Sequence, residues 1–207
     1  MIRGQFVDEA VSRRKFEREV ARYRELEGEY RRRGWFLIEA AFPTVLVIFA
    51  SPKLAPKTIV CAVRLDFTNY DLVPPSVTFV DPFTGIPLPM KSLGFNMRRL
   101  DGVANATPQT ITAMGQQGRL VFQELIQAHS PEEVPFLCLP GVREYHDHPA
   151  HTGDSWLLHR RSGEGSLHFI LEQIWASGIN PIRNINYHVQ YQLQFQGFLV
   201  DGAALPR

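Results

Sequence analysis

The 207-residue chain is 44% hydrophobic and 11% aromatic, which supports a buried core and excludes a disordered polymer. Its net charge of +1 provides no general field for nucleic acid or an anionic membrane, so neither is expected as a partner. It has two cysteines, no apolar run long enough to span a bilayer and no signal-like N-terminus, which predicts a cytoplasmic protein with reduced thiols.

Residues 8 to 33 have helical periodicity. Phe16, Val20, Tyr23, Leu26 and Tyr30 recur at steps of three and four, with Asp8 placed to cap the start and Gly34 to end it. The opposite face is rich in arginine and glutamate. It reads as a solvated face of i,i+4 pairs or as a basic docking surface. Strand-like runs follow at Trp35 (WFLIEAA) and Thr44 (TVLVIFAS), with Phe42 and Pro43 between them. SPKLAPK is a turn, TIVCAVRLDF a third strand that buries Cys61, and PSVTFVD a fourth. Residues 82 to 135 read as an irregular, proline-rich insert in which GRLVFQELIQAHS predicts a short helix. VPFLCLPG is apolar up to Cys138 and turns at Pro140 and Gly141. A histidine-rich loop occupies residues 142 to 156. SLHFILEQIWASG predicts a helix capped by Ser166 and stopped by Gly178, with Leu167, Ile170, Leu171 and Ile174 on one face. NYHVQYQLQFQGFLV alternates as a half-buried antiparallel strand, with His188 on its polar side. The expected fold is α+β in one domain spanning residues 1 to 207. It comprises an N-terminal helix, an antiparallel meander of about four strands, a helix packed on the sheet and an extra C-terminal strand.

Phe67, Tyr70, Pro74, Pro75, Val77 and Phe79 fall at a spacing that resembles the ubiquitin-conjugating enzymes. FLCLPG is similar to that family's active-site segment, and Trp156 and the helix after Ser166 are similar to the tryptophan and helix that follow its cysteine. The order of the preceding elements agrees. Asp71 replaces the family's usual proline, no His-Pro-Asn tripeptide precedes Cys138, and the cysteine lies farther from the proline pair. CLPGVREYHDHPAHTGDSW also resembles a Cys-Glu-His-His metal-binding signature found in bacterial operons for ubiquitin-like conjugation. These resemblances imply a divergent bacterial conjugating-enzyme-like protein. Its partners would be a ubiquitin-like modifier and an activating enzyme, in pathways that include antiviral defence.

Two chemistries then compete for Cys138. As a nucleophile it would carry the modifier as a thioester, helped by His146 or His148 as base or oxyanion donor and by backbone amides of residues 139 to 141. As a ligand it would join Glu144 and a pair from His146, His148 and His151 around zinc, with Asp147, Asp154 and His159 supporting them. In either case Cys138 is expected beside the histidines in a shallow exposed cleft. HDHP is also similar to the start of the JAB-type metallopeptidase signature, but Ser155 comes early and Leu158 stands three residues beyond it. His129, His159 and His168 read as ordinary polar or boundary residues, and Arg160 and Arg161 as solvated charge.

Overall fold

The computed structural model describes residues 4–100, 106–184 and 186. The first element is helix α1 (Glu9–Glu25), capped by the Asp8 carboxylate, which accepts the Ala10 N–H at 2.8 Å. Helix α2 (Glu27–Arg33) follows and ends at Gly34 in the left-handed conformation, φ 90°. The single helix expected over residues 8 to 33 is therefore broken at Leu26. Its backbone leaves the helical region, and its side chain is 47% exposed rather than on the buried stripe.

Strands β1 (Trp35–Ala41), β2 (Thr44–Ser51), β3 (Thr58–Asp66) and β4 (Ser76–Val80) form an antiparallel meander in the order β1-β2-β3-β4. Burial alternates strictly along β2, as one packed sheet face requires. Cys61 is buried opposite Phe49, and burial pushes its thiol up. The insert contains β5 (Arg98–Leu100), α3 (Pro108–Gln116), β6 (Phe122–Glu124) and β7 (Ile126–Gln127), and β8 (Phe136–Leu137) follows it. GRLVFQELIQAHS is thus two strands, not a helix. β6 pairs with β5 and β7 with β8, burying Leu125 and Ile126 while Val121 and Phe122 stay exposed. Cross-strand pairing has overridden local propensity there.

The histidine-rich loop holds two short helices, α4 (Arg143–Asp147) and α5 (Trp156–His159), with a 3-10 turn (Pro149–His151) between them. Helix α6 (Leu167–Ile174) buries the four predicted apolar residues and is capped by Ser166, which accepts the Phe169 N–H. A π-helical turn (Trp175–Ile179) ends it. The buried Glu19 of α1 reaches the free N-terminus of α6 and accepts the Leu167 N–H at 3.3 Å. Arg33 pairs with Glu172 through two 2.7 Å bonds and lies over Trp175 at 3.9 Å. His168 bonds the Tyr30 hydroxyl at 2.8 Å. The expected C-terminal strand and His188 lie outside the described residues. No described helix is long and apolar enough to cross a membrane.

Two glycines in one short stretch should respond oppositely to a methyl group. A Cβ on Gly34 would lie 1.9 Å from the Ala50 carbonyl oxygen, whereas one on Gly28 meets nothing within 4 Å. In urea unfolding, Gly34→Ala is expected to cost more than about 1 kcal/mol, and Gly28→Ala to be neutral or to stabilise by up to about 1 kcal/mol.

Candidate functional site

Cys138 follows β8, and its N–H donates to the Leu125 carbonyl at 2.7 Å. It is 1% exposed, so the expected shallow open cleft is not observed. It does lie against the histidine segment. Gly141, at φ 92°, turns the chain so closely past Gly165 that a Cβ would fall 2.3 Å from the Gly165 nitrogen. Residues 143 to 151 then return over the sulfur, and His151 Nε2 comes to 3.4 Å from Cys138 Sγ. Burial pushes the Cys138 thiol up, opposed by the Arg99 charge and a Gln127 side-chain hydrogen bond. Burial pushes His151 down, and the neighbouring His148 adds to it. Both shifts favour the uncharged forms, thiol and imidazole, over a thiolate–imidazolium pair.

The other predicted residues have distinct attachments. His146 has both ring nitrogens engaged. Nε2 accepts the Gly141 N–H at 3.1 Å, so Nδ1 carries the proton and donates to the Asp154 carbonyl at 2.9 Å. The Leu139 amide donates to the Leu137 carbonyl, and Pro140 has no N–H, so residues 139 to 141 offer no free amide to an oxyanion. Glu144 turns toward β4, where it accepts from the Ser76 hydroxyl and from the Val77 N–H at 3.3 Å. Burial pushes its carboxyl up against those bonds. His148 stacks on Phe136 with ring centroids 5.1 Å apart. With Glu144, Asp147, His129, Asp66 and Arg143 it lines a cavity of about 420 Å³. The Cys-Glu-His-His set is thus divided. Cys138 and His151 face each other, Glu144 and His148 border the cavity, and His146 ties backbone. Among the described residues no group of three or more His, Cys, Asp or Glu is placed to hold a metal ion. As arranged, Cys138 and His151 supply two donors, where zinc takes four.

Three contributors escaped the sequence reading. Arg143 is 7% exposed and donates to the carbonyls of Pro74 at 3.2 Å, Asp66 at 3.3 Å and Thr68 at 3.0 Å. Its own N–H donates to the Pro75 carbonyl at 2.9 Å. Tyr145 stacks on His151 with centroids 3.8 Å apart, and its hydroxyl donates to Asp154 at 2.7 Å. Gln127, on β7, donates its side-chain N–H to the Glu124 carbonyl at 3.0 Å and lies close enough to Cys138 to lower its thiol. An arginine beside a glutamate and a tyrosine beside a histidine carry no sequence signal for these roles.

Asp154 also accepts from His159 Nε2 at 2.5 Å, and His159 Nδ1 is paired with Glu164. The His159 bond, followed by that of Tyr145, holds the Asp154 carboxyl below its ordinary value. Asp154 and then Glu164 raise His159 against the effect of burial. The raised histidine contributes stability that is fully present below about pH 6.5 and lost as pH rises through its folded value. The depressed carboxylate contributes stability that is present above about pH 3.9 and lost as pH falls through its own folded value. The gap in melting temperature between wild type and Asp154→Asn should therefore be widest near about pH 5 and narrow as His159 deprotonates. A gap that widened toward alkaline pH would contradict the ionic pairing.

The Y4jH family model matches residues 7–182. A protein of Sinorhizobium fredii (strain NBRC 101917 / NGR234), described as uncharacterized protein y4jH, is 50% identical over 202 residues, covering 98% of this chain and 98% of that one.

Proposed function

The chain belongs to the Y4jH family, and we propose that it is a ubiquitin-conjugating-enzyme-like component of a bacterial ubiquitin-like modification pathway, acting in the cytoplasm. Cys138 takes up the modifier as a thioester and passes it to an amine. The observation that carries the reading is the 3.4 Å approach of His151 to the Cys138 sulfur. Further support comes from the helix, the four-stranded meander and Arg143, which binds the Pro74 carbonyl to the turn after the cysteine.

In the first step the Cys138 sulfur attacks the modifier's C-terminal carbonyl, held as a thioester on the activating enzyme. The new C–S bond forms, the old one breaks, and the Cys138 proton passes to His151 and on to the leaving thiolate. In the second step an acceptor amine displaces Cys138 and the thiol is restored. His151 takes the role of base that the sequence had assigned to His146 or His148. The Gln127 side-chain amide, whose Nε2 donates to the Glu124 carbonyl at 3.0 Å, lies near the sulfur and has a second N–H for the developing oxyanion. Zinc has no part in these steps.

With modifier, activating enzyme and ATP, wild type is expected to form a reducible adduct. Cys138→Ser should abolish it, and His151→Gln should slow it by about a hundredfold. Metal content of untagged protein is measured alongside. Stoichiometric metal that is lost in Cys138→Ser, together with no adduct in wild type, would replace this reading with that of a zinc-binding adaptor in which Cys138 is a ligand.

The activating enzyme would dock on the arginine-rich face of α1, where Ala10, Val11, Arg14, Lys15 and Arg18 border a groove of about 400 Å³. The double charge reversal Arg14→Glu with Arg18→Glu should weaken that association, most clearly at low salt, and leave the melting temperature within a few degrees of wild type. Unchanged binding would move the interface elsewhere.

A further inference from the structure

The acyl-transfer reading needs a reachable sulfur, yet Cys138 is almost wholly buried. The chain returning past it, from residue 146 to 155, brings His151 to 3.4 Å from the sulfur. Tyr145 and Trp156 are buried, but no residue from 146 to 155 is. The backbone hydrogen bonds of this strap are mostly local: His148 N–H to the Tyr145 carbonyl, His151 to His148, Thr152 to Pro149 and Asp154 to His151. Gly153 sits at φ 100° with open space around it. A segment with few buried contacts and local bonds opens at far lower cost than the fold around it.

The strap is tied down through side chains. Asp154 accepts from Tyr145 on one oxygen at 2.7 Å and from His159 on the other at 2.5 Å. Tyr145 belongs to α4, which Arg143 anchors to the sheet, and His159 belongs to α5 just after the buried Trp156. One carboxylate thus joins the two fixed ends of the strap, and it lies three residues from the imidazole that faces the sulfur. His146 ties the same point through the Asp154 carbonyl, and His148 rests on Phe136.

We propose that residues 146 to 155 form a strap over Cys138, latched by the Asp154 carboxylate between Tyr145 and His159, and that opening this latch exposes the thiol. Release removes two hydrogen bonds to one ionised oxygen pair, each of the stronger, charge-assisted kind. The strap then swings on its two buried ends, carrying His151 away from the sulfur and uncovering it. The inference concerns access to the thiol, not what the thiol accepts, so it goes beyond the acyl-transfer reading and can fail or stand without it.

The test uses the full chain and iodoacetamide, a small neutral electrophile, with alkylation followed separately at Cys138 and Cys61 by peptide mass analysis. Cys61 is buried in the sheet core and reports general loosening. Wild-type Cys138 is expected to react far more slowly than in the urea-unfolded chain. Asp154→Asn keeps the side-chain shape and removes the charge. Tyr145→Phe keeps the ring stacked on His151 and removes one arm of the latch. Each should raise the Cys138 rate by about tenfold, in line with the loss of a charge-assisted hydrogen bond, while the Cys61 rate stays at the wild-type value. The proposal is overturned if Cys138 reacts no faster in either variant, if its rate falls, or if Cys61 accelerates in parallel. It is also overturned if wild-type Cys138 already reacts at the unfolded rate.

Discussion

The guanidinium of Arg143 is the constraint on which the site depends. It is buried and donates to three backbone carbonyls, those of Asp66, Thr68 and Pro74, with the Asp66 carboxylate 3.5 Å away. A charge in that position is tolerable because its hydrogen-bonding capacity is met, and removing it would break these bonds in a low-dielectric setting. The end of β3, the proline pair leading into β4 and the turn after Cys138 are thereby fixed to one another. Tyr145 and Glu144 follow Arg143 in the chain, so their directions are set by the same anchor. One faces His151 and the other faces Ser76.

That anchor also divides the histidine-rich segment chemically. Residues on an α-helical turn diverge by about 100° per position, so Glu144, Tyr145 and His146 cannot converge on one point. Glu144 meets β4, Tyr145 stacks on the imidazole beside the sulfur, and His146 bonds the Gly141 amide. Burial raises the thiol and lowers the imidazole, so it favours the uncharged form of each. For the proposed acyl transfer, a neutral pair of this kind would favour proton transfer coupled to attack over a standing thiolate.

The meander was legible in the sequence because β2 and β3 alternate or run apolar and have turn residues at their ends. Helix α6 was legible because its four apolar positions and its Ser166 cap agree. The split at Leu26 was not, since the apolar spacing continues through it unbroken. Residues 119 to 127 were misread because they pair with β5 and β8, strands distant in the chain, which local periodicity cannot reveal. At the site, the sequence brought Cys138 and the histidines together but did not distinguish among them. Which imidazole faces the sulfur depends on backbone direction in a helix of five residues and a 3-10 turn of three, both too short to leave a pattern. Arg143 was invisible for another reason: its partners are carbonyl oxygens, which every residue carries.

The close approach of Gly141 to Gly165 has a consequence for how this chain can vary. The two backbones touch at the root of everything between them, and a Cβ on Gly165 would run into Trp156 as well as the Gly141 carbonyl. Residues 142 to 164 therefore leave and rejoin the body at one point, so their length is not coupled to the spacing between β8 and α6. Lengthening such a closed excursion adds little to its closure entropy. Relatives can thus lose or gain residues here, and exchange the chemistry carried over the cysteine, while the sheet and its helices stay in register. Neither glycine at the neck has room for a side chain.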